Sequence, residues 1–111
     1  MTNYDMARVA RAAISVYQQT LGDPRSPDLD DAPESHRESL LAGVDVALSG
    51  ATPAQQHAAW VSWHLDRGWK YGPVRDEEAR THPNLRPYEE LPDEQQRVDK
   101  LFQGVVLAFA A

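Results

Sequence analysis

Apolar residues near the start of the chain recur every three or four positions: Met6, Val9, Ala10, Ala13, Ile14 and Tyr17. That spacing puts them on one side of a helix over residues 4–19. Gly22 and Pro24 end it, and the turn-rich, acidic segment 20–32 reads as a loop. Pro33 suits a first helical position, with Asp30 or Asp31 upstream to cap. A second helix over 33–48 carries Leu40, Leu41, Val44, Ala47 and Leu48, and Ser49-Gly50 closes it. Thr52-Pro53-Ala54-Gln55 has the residues of a capping box with proline in the first turn. It opens a third helix over 53–67, with Gly68 as terminator. The expected inner stripe of this helix is Ala54, Ala58, Val61 and Leu65, with Trp60 and His64 on an adjacent one. Pro92 opens a fourth helix whose first turn holds Asp93 and Glu94, which suits the helix dipole. Its buried face is Val98, Leu101, Phe102, Val105, Ala108 and Phe109. No run of β-branched residues alternates with polar ones. The expectation is an all-α domain of four helices spanning residues 1–111.

The two halves, 4–50 and 52–111, read as two helix-loop-helix units. Tyr17 falls opposite Tyr71, Pro33 opposite Pro92, and Gly43-Val44 opposite Gly104-Val105. A duplication stacked about a pseudo-twofold axis is expected, since neither unit alone can bury its apolar face.

The long second connection breaks the helical pattern. Residues 67–91, RGWKYGPVRDEEARTHPNLRPYEEL, have no period of either kind. A compact domain rarely keeps so long an irregular segment without a use for it. Trp69, Tyr71, Leu85, Tyr88 and Leu91 argue that it is ordered.

Charge sharpens this. The chain carries a net −6, which disfavours long nucleic acids as partners. Residues 66–86 hold five basic groups against four acids, and the remainder six against thirteen. The loop is thus the one region that does not repel a small anion. Composition is otherwise that of an ordinary globular domain, 41% hydrophobic and 25% charged. The absence of cysteine excludes disulfides, thiolate metal sites and cysteine nucleophiles. No signal peptide and no span of ~20 apolar residues is seen, so a cytoplasmic protein without a membrane partner is expected.

The candidate ligand-binding residues are Trp69, Tyr71, Arg75, Asp76, His82 and Tyr88. Trp69 and Tyr71 can stack on a base or plug the gap between helix and loop. Arg75 can clamp a phosphate or make an internal salt bridge. Asp76 can accept from a ribose hydroxyl or hold the loop's own amides. His82, before Pro83, suits a hydrogen bond that fixes the loop. Tyr88 and Leu91 suit anchoring it to the core. Arg80 and Arg86 read as solvated. No metal site is expected, because His57 and His64 are seven apart and His82 lies in the loop. No nucleophile with a matching base is seen, so no catalytic residue or cofactor is assigned.

Gly68-Trp69-Lys70-Tyr71-Gly72-Pro73-Val74-Arg75-Asp76, followed by His82-Pro83, Tyr88 and Leu91-Pro92, resembles the signature of the ryanodine-receptor repeat (RyR) domain. The first half resembles the family less closely, and the small size is similar to a stand-alone prokaryotic or phage version. The resemblance implies a helical module of tandem repeats, with an adenine-nucleotide pocket lined by one tryptophan from each repeat. Here Trp69 is the matching indole. The opposing position, near Ile14-Ser15, has no aromatic. Three outcomes are open: a one-sided pocket, a symmetric dimer supplying a second Trp69, or a site that has lost its ligand. The expected function is a non-enzymatic binding module for an adenine nucleotide or ADP-ribose-type signal. The alternative is a protein-interaction or assembly module presenting Trp60, Trp63 and the apolar C-terminal tail. A weaker third is a hydrolase using Asp76 and His82.

Overall fold

The four helices lie within about two residues of the ranges the pattern predicts. The computed structural model describes residues 1–110. They form α1 (Asn3–Thr20), α2 (Glu34–Leu48), α3 (Pro53–Leu65) and α4 (Asp93–Ala110). Two 3-10 turns, Leu29–Asp31 and Tyr88–Glu90, precede α2 and α4. Each is followed by a buried apolar residue, Ala32 or Leu91, and then proline. The Thr52 capping box forms as expected: its hydroxyl accepts from the Gln55 amide, and the Gln55 side chain accepts from the Thr52 amide. The α2 start differs. Pro33 stands at the cap with no side-chain bond. Asp30 instead accepts the Tyr4 hydroxyl, tying the first loop to α1.

The fold is mostly helical but not all-α. Strands β1 (Lys70–Tyr71) and β2 (Thr81–His82) pair in parallel, Lys70 with Thr81 and Tyr71 with His82. Two-residue strands are too short to show any alternation, which is why the pattern did not reveal them.

The hydrophobic core joins Met6, Ala7 and Ala10 of α1, Leu29 and Ala32 of the first loop, Val44 and Ala47 of α2, and Phe102 and Val106 of α4. The Tyr17 hydroxyl donates to the Glu94 carbonyl, 3.1 Å, so α1 and α4 run antiparallel. Ala108 and Phe109, expected inside, are exposed because the last turn of α4 runs past the core.

No α3 residue joins this cluster. The predicted stripe is displaced: Ala58 and Leu65 are exposed, and Ala54 and Val61 are half-buried. The buried residues of α3 are Gln56, His57 and His64. Polar contacts secure the helix. Gln56 Nε2 donates to the Gly43 carbonyl at 2.9 Å, and Gln103 Nε2 to Gln56 Oε1 at 3.0 Å and to the Ala51 carbonyl at 2.8 Å. Buried amides cost free energy unless bonded, and these are. Phe102 packs close to Gly43, where an added Cβ would meet its ring at 3.2 Å.

Candidate functional site

The inner face of α3 is a run of rings. Trp60 stacks on His57 with ring centroids 5.5 Å apart and lies 4.3 Å from His64. The helix then stops at Gly68, whose φ of +83° favours glycine. The Gly68 amide donates to the Leu65 carbonyl and the Trp69 amide to that of His64. These are the paired bonds of a Schellman turn, which brings the residue after glycine back over the helix's last turn. Trp69 accordingly meets His64 edge-on at 5.3 Å. The terminator foreseen at Gly68 thus also aims the indole.

Past Trp69 the chain forms a closed ear. The Lys70 amide donates to the Arg80 carbonyl at 2.9 Å. Asp76 and Thr81 exchange two backbone bonds, of 3.0 and 3.1 Å. Thr81 is therefore paired on both sides. Gly72 permits this, because an added Cβ would sit 2.6 Å from Thr81 Cβ. Arg80 takes a left-handed φ of +55° and is held there by its guanidinium, which donates to the Arg67 carbonyl at 2.7 Å. It is exposed yet engaged. Arg86 is half-buried rather than solvated, and its backbone carbonyl contacts His57 Nε2 at 2.8 Å.

Between the ring-bearing helix, the ear and the first half lies a cleft of about 800 Å³. Such volumes are typical of small-ligand sites, roughly 300–1,000 Å³. Trp60, Trp63, His64 and Trp69 form one wall, and Ile14, His36 and Leu40 face them from α1 and α2. His82, edge-on to Trp60 at 5.0 Å, with Pro83, Asp99 and Phe102, completes the lining. Arg67 covers Trp63, its guanidinium carbon 3.7 Å from the ring centroid.

A charged cluster in the cleft lining is built by both halves. Glu77 Oε1 accepts from Arg75 Nε at 3.2 Å and Nη2 at 3.0 Å, and lies 3.2 Å from His36 Nε2. His36 Nδ1 lies 3.3 Å from Arg11 Nη1, and Arg11 Nε donates to the Pro27 carbonyl at 2.8 Å. Partial burial works against the Glu77 carboxylate, but Arg75 and His36 outweigh it and hold its pKa below the ordinary value.

The histidines divide by environment. Burial, then the nearby Arg75, pushes His82 down to about 4. Its Nδ1 accepts the Asn84 amide at 3.0 Å, so the neutral ring carries its proton on Nε2. Burial likewise lowers His36 and His64. His57 goes the other way. Burial opposes its charge, but Asp99 at 3.4 Å and the Arg86 carbonyl outweigh it and raise the pKa. Among the described residues no group of three or more His, Asp or Glu side chains is arranged to hold a metal.

Of the six residues singled out from sequence, Trp69, Arg75 and His82 line the cleft. Tyr71 points away and is 56% exposed. Asp76 Oδ1 accepts from the Glu78 and Ala79 amides at 3.0 and 3.1 Å, shaping the ear from outside the cleft. Tyr88, in its 3-10 turn, sits 6.1 Å from the His57 ring and does not line the cleft. Sequence reasoning missed Arg11, His36 and Glu77, for which no local pattern exists. It also missed the inward turn of Trp60 and His64, although their four-residue spacing placed two rings on one stripe.

A family model described as RyR domain matches residues 46–107, more than half of the 111-residue chain. This chain belongs to the RyR domain family. The part of the RyR domain that matches carries the ring wall, the ear, and Asp99 and Phe102 of the lining. Arg11, Ile14 and His36 of the opposite wall precede it. The site thus joins the recognisable half of the RyR domain to a half that the family match does not cover. No helix among the described residues is long and apolar enough to cross a membrane.

Proposed function

We propose that this RyR domain is a non-enzymatic small-molecule binding module. Its cleft takes an adenine nucleotide or an ADP-ribose-type nucleotide, for sensing or sequestration in the cytoplasm. The observation that carries this is the mixed lining of the cleft, which brings indoles and neutral imidazoles together with two arginines, Arg75 and Arg11. A base stacks on the ring wall, and phosphates lie toward the arginines. Trp60 stands on the same wall as Trp69 and no indole lines the wall at Ile14, so within one chain the base stacks from one side. The matching order of capping-box helix, 3-10 turn, buried residue, proline and helix in the two halves supports a pseudo-twofold repeat.

Calorimetry with ATP, ADP-ribose and cyclic derivatives tests the function. Binding is expected to weaken about 5- to 150-fold in Trp69→Ala, the equivalent of 1–3 kcal/mol of stacking. Silence across the panel at millimolar ligand removes the reading. The assembly-module alternative draws support from Leu107 and Phe109, which α4 leaves 47% and 42% exposed. Silence with nucleotides together with concentration-dependent sedimentation favours it.

A further inference from the structure

We propose that the Glu77 carboxylate is a built-in occupant of an anion subsite formed by Arg75 and His36. A phosphoryl group binds there by displacing it. The phosphoryl identity rests on the nucleotide reading above; the subsite itself rests on the geometry that follows.

Three donors from two parts of the chain converge on one oxygen, Glu77 Oε1: Arg75 Nε, Arg75 Nη2 and His36 Nε2. A guanidinium meets a carboxylate best through two parallel bonds to two oxygens. Here both Arg75 bonds crowd onto one, so the carboxylate uses the donors incompletely. A phosphoryl group offers separate oxygens to the same set.

The donors are fixed in advance. The guanidiniums of Arg11 and Arg75 can only donate, and they face His36 Nδ1 at 3.3 Å and Nε2 at 3.4 Å. The shorter Nε2 contact, 3.2 Å, is to the Glu77 carboxylate, which can only accept, so Nδ1 accepting from Arg11 and Nε2–H donating to Glu77 satisfies both shorter contacts. The proton of neutral His36 is then on Nε2 and points at the place Oε1 now fills. Arg11 is itself anchored by the Pro27 carbonyl. The imidazole cannot turn without breaking that chain.

Glu77 is free to leave. Its side chain is 47% exposed, and that of Arg75 is 52% exposed. Ion pairs this open contribute little net stability. With Glu77 in place the cluster of Arg11, Arg75 and Glu77 carries a net +1, and without it +2. Glu77 also borders a second recess of about 390 Å³ lined by Arg67 and Arg80.

The rival role for Glu77 is a strut holding the ear to α2, and the two roles predict opposite signs. Inorganic pyrophosphate is titrated into the full chain by calorimetry, with sodium chloride holding ionic strength constant. Glu77→Gln is expected to bind it about ten-fold more tightly than the wild type, the equivalent of 1.4 kcal/mol. Glu77→Gln combined with Arg75→Met is expected to bind no better than the wild type. Equal or weaker binding by Glu77→Gln overturns the proposal. A measurement on the unmodified protein guards against a misfolded variant. Saturating pyrophosphate should raise the titration midpoint of the Glu77 carboxyl carbon in NMR toward the ordinary carboxylate value; an unmoved midpoint overturns the proposal. If Glu77→Gln gains pyrophosphate affinity while every nucleotide is silent, the nucleotide reading fails and the subsite stands. If nucleotides bind but Glu77→Gln gains nothing, the reverse holds.

Discussion

Helices α1 and α3 begin alike and end up facing opposite kinds of surroundings. Thr2 with Asp5, and Thr52 with Gln55, close the same reciprocal cap. After it, α1 turns Met6, Ala7 and Ala10 inward, whereas α3 turns in Gln56, His57 and His64. A cap satisfies the first amides and says where a helix starts. It says nothing about which side goes in. That is decided by what lies across: Phe102 and Val106 from α4 for the first helix, a cleft for the third. A helix whose hidden residues are polar and individually bonded marks a place for chemistry rather than a core.

The largest expected break in this contrast is on the apolar side. Met6→Ala, in the core of α1, should lose about 2–5 kcal/mol in denaturant unfolding. A loss under about 1 kcal/mol would mean that α1 is no more a core helix than α3.

Acid gives the next effect, and it acts on the cleft side. Folded His82 titrates at about 4, against ~6.5 for a free histidine. Between these values the unfolded chain takes up a proton that the folded one refuses. Stability complete above ~6.5 therefore falls as pH drops toward 4, by at most about 3 kcal/mol. Burial of His36 and His64 adds to the same slope. His57 opposes it: its raised pKa contributes stability below ~6.5 that is lost as pH rises through the folded value. His82→Asn keeps an acceptor for the Asn84 amide and should flatten the decline between about pH 7 and about pH 4.5, read from urea midpoints. An equally steep decline would assign the acid sensitivity to other groups.

The smallest effect is expected at His64. Its Nδ1 contacts the Trp60 carbonyl, which already accepts a helix bond, so His64→Leu orphans nothing. Stability should stay within about 1 kcal/mol, while the edge contact to Trp69 and nucleotide affinity are lost. A larger fall in thermal or urea stability would make His64 a core residue.

The helix ends were readable because they are local: Thr52, Pro53, Gln55 and Gly68 act on amides within a few residues. The inner face of α3 was not. Gln56 is satisfied by Gly43, and His57 by Arg86 and Asp99. No local period encodes partners that far away. The stripe of Ala54 and Ala58 offers little area to bury, so long-range polar contacts set the rotation of the helix instead. The same holds for the cleft. Trp69, Arg75 and His82 stand on the motif and meet. Arg11 and His36 reach the site only through packing of the first half, and Glu77 looked like one acid among many. Tyr71 and Asp76 sit between cleft-lining residues in sequence, but the strand pairing and the Asp76 turn direct them elsewhere.

Because Thr81 is paired with Lys70 on one flank and Asp76 on the other, residues 70–81 form a closed loop pinched at Asp76. The residues either side of that pinch, Val74 and Arg75 before it and Glu77 and Glu78 after it, form a cassette clipped onto the barrier of rings rather than part of it. Rewriting the cassette would change the charge presented to a guest while the indoles keep their station. In the proposed nucleotide site, affinity for the flat part of the ligand and selectivity for its ionic part would be separately adjustable in a chain of barely a hundred residues.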